Sequence, residues 1–234
     1  MDTADNLVLK ARIYRLFSRL LDYPYDEDLP RIETTIKDIR ELLESLDQRY
    51  HAVSDRLAEA LKAFKEELGK LGVDEFQASY VSTFELGIPK PPCPPYESSY
   101  MRPQEVGDAS FIEAPGAQAS PLYGEVKGTL SILSSLTALY EESGVKVTRA
   151  SPDHVSVELE FASYLLESIA TGRSDENKVL EARYRELLEK HLAIWIPRLA
   201  GCLARKSRLR TYFHLAEALS SYIRAELDYV RSRL

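Results

Sequence analysis

Cysteine is nearly absent from this chain: Cys93 and Cys202 are the only two in 234 residues. They stand far apart, with no CxxC and no Cys/His spacing. That signals neither a disulfide framework nor a zinc site, and both are expected to be free thiols with no special role. Long apolar runs are missing too. No stretch approaches the roughly 18–20 apolar residues that span a bilayer. Met1 to Lys10 carries acids and no apolar run of signal-peptide length, so the expectation is a cytoplasmic protein without an integral membrane segment. Positive charge is in deficit, with 30 Lys+Arg against 37 Asp+Glu and a formal net charge of −7. This argues against nucleic acid as a partner, because a phosphate backbone must be met by a basic surface; a basic peptide would be better received. Catalytic signatures are lacking as well: there is no GxxxxGKS/T phosphate loop, no GxGxxG, no GxSxG and no HExxH.

What the chain does have is a core's worth of apolar residues, 44% of the total, recurring at helical spacing. Leu9, Ile13, Leu16, Phe17 and Leu20 mark a first helix, Leu29 to Leu46 a second, and Leu57, Leu61, Phe64, Leu68 and Leu71 a third. A shorter fourth runs through Val73, Phe76, Tyr80 and Phe84 and ends at Gly87 and Pro89. Residues 87–121 hold eight of the twelve prolines and no sustained periodicity, which predicts a long loop. The helical pattern resumes from Val126 to Tyr140, stops at Gly144 and restarts near Ser151; further helices are expected over roughly 175–205, kinked or broken at Pro197, and roughly 209–232. Val155 to Phe161 alternates apolar and polar like a half-buried strand. Helix is the better reading, because Ser151-Pro152-Asp153 looks like a helix start and Val155, Leu159, Ala162, Leu166 and Ile169 extend one face beyond a strand's usual length. The fold class is therefore all-α: a bundle-like single domain, 1–234, of about seven to nine helices, with subregions 1–86 and 122–234 joined by the proline-rich loop 87–121. Both a monomer and a homodimer swapped through that loop are compatible with this organisation.

Two clusters could carry function. In the first, Tyr80 and Phe84 end a helix and a stiff loop comes next with Pro95, Tyr96, Glu97 and Tyr100. Prolines lower the entropy cost of presenting Tyr96, and Glu97 adds an acid, a combination suited to a peptide with apolar and basic residues. The alternative is that Tyr80 and Phe84 are core and the loop simply packs over the bundle. The second cluster is Asp153, His154 and Glu158. If all lie in one helix, His154 and Glu158 share a face, and the helix start favours an anionic Asp153 and a neutral His154. Three roles stay open: helix-start stabilisation with His154 paired to Glu158; a metal-dependent hydrolase, for which too few ligands are at hand; and recognition of a cationic peptide group by Asp153, Glu158 and Glu97 with His154 adding a hydrogen bond. His51, His191 and His214 sit inside helical patterns and are expected to be satisfied, and Arg205 to Arg210 is expected to be a solvated helix junction.

Taken together, Tyr80 to Phe84, Pro94-Pro95-Tyr96-Glu97-Ser98-Ser99-Tyr100, Pro152 to Phe161 and His191 to Pro197 resemble, in order, the redox-enzyme maturation chaperones that include TorD, DmsD and NarJ. The resemblance implies an all-helical chaperone and not an enzyme, without cofactor or metal of its own. Its partner would be the twin-arginine leader or N-terminal segment of a molybdopterin-dependent reductase, held in the cytoplasm while cofactor is inserted, so that export is delayed. Carried over by position, the peptide-binding residues are Tyr80, Phe84, Pro95, Tyr96, Asp153 and His154, with Glu97 and Glu158 beside them. Thr83 departs from the family, which often has leucine there, and implies a more polar groove wall. Trp195 and His191 are assigned to packing. A purely structural adaptor is the other non-enzymatic reading.

Overall fold

The computed structural model describes residues 4–101, 121–148, 150–172 and 174–232. Its helices are α1 (Ala4–Leu20), α2 (Leu29–Glu44), α3 (His51–Phe84), α4 (Pro121–Glu142), α5 (Val155–Thr171), α6 (Ser174–Glu186), α7 (Ala193–Lys206) and α8 (Arg210–Arg231). No strand occurs among the described residues, so the fold is all-α. Val155 to Phe161 is helical, as its extended apolar face predicts.

The third and fourth expected helices run on as α3, but Gly72 between them has φ 74° and ψ 177°. That backbone conformation is open to glycine and closed to most other residues, so the chain turns a corner there and the two apolar stripes aim differently. Gly144 (φ 74°) takes the chain past the end of α4, as its position predicts. Pro197 does not break α7. The irregularity falls just before it, where Leu187–Leu192 forms a π-helical stretch linking α6 to α7. One wide turn adds a residue to the spiral and shifts the register of the residues after it.

α1 packs along α5, α3 along α8, and α7 along α8, so helices from both sides of the proline-rich segment share one hydrophobic cluster. Trp195, Tyr14, Tyr50, Tyr80, Tyr140, Tyr212 and Tyr222 are its largest buried side chains. A tyrosine-rich core must place its hydroxyls. Tyr80 donates to the Leu21 carbonyl at 3.1 Å and Tyr140 to the Pro152 carbonyl at 2.7 Å, while Tyr184 donates to Glu226 Oε2 at 2.9 Å.

One expectation is overturned. Cys93 and Cys202 are not free: they form a disulfide across 109 residues, with a Cα–Cα separation of 5.8 Å. Spacing rules detect motifs local in sequence, and this pair is brought together only by the packing of the loop on α7. Of the predicted loop, residues 87–101 are irregular apart from a single 3-10 turn at Glu97–Ser99, and 102–120 lie outside the described residues.

Candidate functional site

The loop after α3 is pinned before it reaches Tyr96. The Cys93 N–H donates to the Thr83 carbonyl at 2.9 Å. Further on it lies antiparallel to the segment entering α5: Glu97 N–H donates to the Asp153 carbonyl, and Val155 N–H to the Pro95 carbonyl, each at 2.9 Å, forming an isolated bridge between Tyr96 and His154. The two sequence clusters thus meet through their backbones. Their rings meet as well, edge to face with centroids 5.1 Å apart.

His154 is the N-cap of α5, not its first turn. Its Nδ1 accepts from the Ser156 N–H at 3.3 Å and lies 2.6 Å from the Ser156 hydroxyl. Burial pushes its pKa below the ordinary imidazole value, opposed in part by the charges of Asp22 and Asp153. Its expected partner Glu158 is elsewhere. The helix begins at Val155, so Asp153 and His154 precede it and the face-sharing argument built on Ser151 as N-cap does not apply.

Glu97, Asp153 and Glu158 lie beneath this surface, each at most 1% exposed. Glu97 receives His191 Nδ1 at 2.9 and 3.0 Å. Asp153 accepts from the Ser98 N–H at 3.2 Å and from the Ser151 hydroxyl. Glu158 accepts from the Trp195 indole N–H at 3.1 Å, and its second oxygen, Oε1, has no hydrogen-bond partner. Burial, then the nearby Glu97 charge, pushes the Glu158 carboxyl far above the usual range; burial raises Glu97 too, opposed by His191. His191, at the end of the π-helical stretch, and Trp195, in the first turn of α7, are therefore more than packing residues: they hold the two buried carboxyls in place. Tyr100 stacks on Trp195 with centroids 5.8 Å apart.

Tyr80 and Phe84 are buried at 2% each and pack on Tyr212, and Pro95 is buried. Thr83 is also buried, its hydroxyl donating to the Ser79 carbonyl at 2.7 Å, so the more polar groove wall expected of it is absent. Of the eight candidate residues, Tyr96 (38% exposed) and the half-buried His154 reach the surface.

Around them the structure gathers residues that the sequence patterns do not single out. Asp22 and Glu85 are exposed acids whose fields, with Tyr96 and Tyr25, reach the buried Tyr80 hydroxyl, and Glu85 also acts on Tyr96. Tyr23 stands edge-on to both Tyr25 and Tyr80. Beside it an open groove of about 440 Å³ is lined by Tyr23, Ala78, Val81 and Leu86, with Asp74 as the charged residue among its described lining. Leu86 is 67% exposed. The signal for this face was present in the Asp22-Tyr-Pro-Tyr25 turn, but nothing in its spacing ties it to residues 80–96. Among the described residues, no helix is long and apolar enough to cross a membrane.

A search of curated proteins finds no match. A profile of the nitrate reductase delta subunit family matches residues 43–201, more than half of the chain and inclusive of the loop, the α5 entry and the His191–Trp195 segment. The chain therefore belongs to the nitrate reductase delta subunit family, redox-enzyme maturation chaperones of the TorD and NarJ type that serve molybdoenzyme assembly.

Proposed function

We propose that this chain binds the twin-arginine leader or N-terminal segment of a molybdopterin-dependent oxidoreductase subunit in the cytoplasm, holding it while cofactor is inserted and so delaying export. The observation that carries the reading is the surface formed by Tyr96 and His154, flanked by the exposed acids Asp22 and Glu85 and continued by the Tyr23–Leu86 groove. A cationic pair followed by apolar residues fits that order: guanidinium groups against Asp22 and Glu85, flat against the Tyr96 ring, and the apolar stretch along Val81 and Leu86. Tyr80, Phe84, Pro95, Glu97, Asp153 and Glu158 then act from below, fixing the backbone that presents Tyr96 and His154.

Calorimetric titration with twin-arginine leader peptides tests this, each beside a version with both arginines replaced by glutamine. Micromolar binding is expected. Loss of both arginines, or the Tyr96→Ala or Asp22→Asn substitution in the protein, should weaken it roughly tenfold, about 1.4 kcal/mol each. Equal affinity for both peptide versions would discard arginine recognition. No binding to any leader by folded protein would leave a chaperone of another client segment.

A further inference from the structure

The disulfide lies where the Tyr96 loop meets α7. Cys93 precedes Tyr96 by three residues and is fully buried, whereas Cys202 is slightly exposed and lines a cleft of about 450 Å³ between the loop and α7. Lys90, Arg198, Arg205 and Lys206 also line it, and no carboxylate is found among its described lining residues. Two of these cations tie the loop down, Arg198 donating to the Tyr100 carbonyl at 2.8 Å and Lys206 to the Pro92 carbonyl at 3.4 Å. Lys90 and Arg205 are exposed at the same cleft.

We propose that Cys93–Cys202 is a redox-modification site, at which an anionic low-molecular-weight thiol drawn into the basic cleft opens and re-forms the disulfide that clamps the Tyr96 loop onto α7. Access selects the sulfur attacked. The reagent thiolate bonds to Cys202 Sγ, the bond to Cys93 breaks, and the electron pair leaves on Cys93 Sγ, which takes a proton from solvent. A second reagent thiolate attacks the reagent's own sulfur in the mixed disulfide and releases Cys202, which is protonated in turn. Two reagent thiols become one disulfide, and the protein gains two electrons and two protons; the reverse sequence closes the bond. With the bond open, the loop keeps its backbone hydrogen bonds to Thr83 and Asp153 on one side, while on the α7 side the covalent tie is replaced by noncovalent contacts, among them the hydrogen bonds from Arg198, Lys206 and His191 and the stacking of Tyr100 on Trp195. A disulfide in a reducing compartment is more often redox-active than structural; that step of the argument rests on the proposed cytoplasmic role.

The experiment uses the full chain purified without reductant, and thiols are counted by mass after alkylation. The disulfide form is expected, as purified or after exposure to glutathione disulfide. Its reduction is then timed with glutathione, a net anion, and with neutral 2-mercaptoethanol. Arg205→Glu/Lys206→Glu should lower the glutathione-to-mercaptoethanol rate ratio about tenfold, and amide exchange over 90–100 should quicken several-fold on reduction. Cys93→Ser/Cys202→Ser should exchange at the reduced rate in both buffers. Two alkylatable thiols that glutathione disulfide fails to convert would overturn the site; a rate ratio indifferent to charge reversal would overturn the anionic reagent; equal exchange in both forms would overturn the clamp. None of these readouts uses a peptide, so failure of leader binding is told apart from failure of the redox site.

Discussion

Glu158 carries a pH dependence that can be read from its surroundings. Its carboxyl is wholly buried, its neighbour Glu97 is a second acid, and both effects raise its pKa above the ordinary 4.5. A carboxyl raised on folding keeps a proton in the native state that the unfolded chain has released. Its contribution to stability is therefore complete below about pH 4.5 and is lost as pH rises through the raised value. Glu158→Gln retains an acceptor for the Trp195 N–H and cannot ionise. The variant should be more stable than wild type at pH 8 and lose that advantage by pH 5, compared by urea midpoints at the two pH values. Parallel pH profiles would show that Glu158 has the same protonation in both states. Of the site as a whole, the two clusters were legible in the sequence as patches of unusual residues. Which members face water was not, since burial of Glu97, Asp153 and Glu158 depends on partners as distant as His191.

At the scale of elements, local spacing is a good guide where a helix is regular and a poor one where it absorbs a defect. Gly72 divides the two apolar stripes of α3, and a Cβ there would meet nothing within 4 Å. The cost of Gly72→Ala is therefore conformational and should be about 1–3 kcal/mol, read as a lower urea midpoint with unchanged slope. A midpoint shift near zero would mean that the corner relaxes to another conformation. At Pro197 the local rule fails in the opposite direction. A proline inside a helix removes one N–H and crowds the carbonyl four residues back, yet the helix continues, with the wide turn at Leu187–Leu192 immediately ahead of it. That turn includes His191, whose alignment with Glu97 a sequence period of 3.6 could not foretell.

For the whole molecule, the first and last helices are joined by a buried ion pair, Lys10 Nζ to Glu226 Oε1 at 3.2 Å. Tyr50 and Tyr184 donate to the same carboxylate. Breaking one side of such a pair leaves a charge without its counterion in a low dielectric, whereas removing both charges is far cheaper. Lys10→Met should cost about 3–5 kcal/mol in chemical unfolding, and Lys10→Met/Glu226→Gln should recover much of it. A loss under about 1 kcal/mol for the single variant would show that the two tyrosine hydroxyls suffice for Glu226.

The order of helices, the helical nature of Val155 to Phe161 and the family's four motifs were all determined by the sequence itself, because each depends on residues a few positions apart and on a period set by the backbone. Tertiary structure alone decided the rest. It joined Cys93 to Cys202 across 109 residues and Glu97 to His191 across 94, and it set Asp22 and Glu85 around Tyr80 and Tyr96. These are properties of where helices cross once their apolar faces close on one another, and a linear pattern holds the faces but not the crossings.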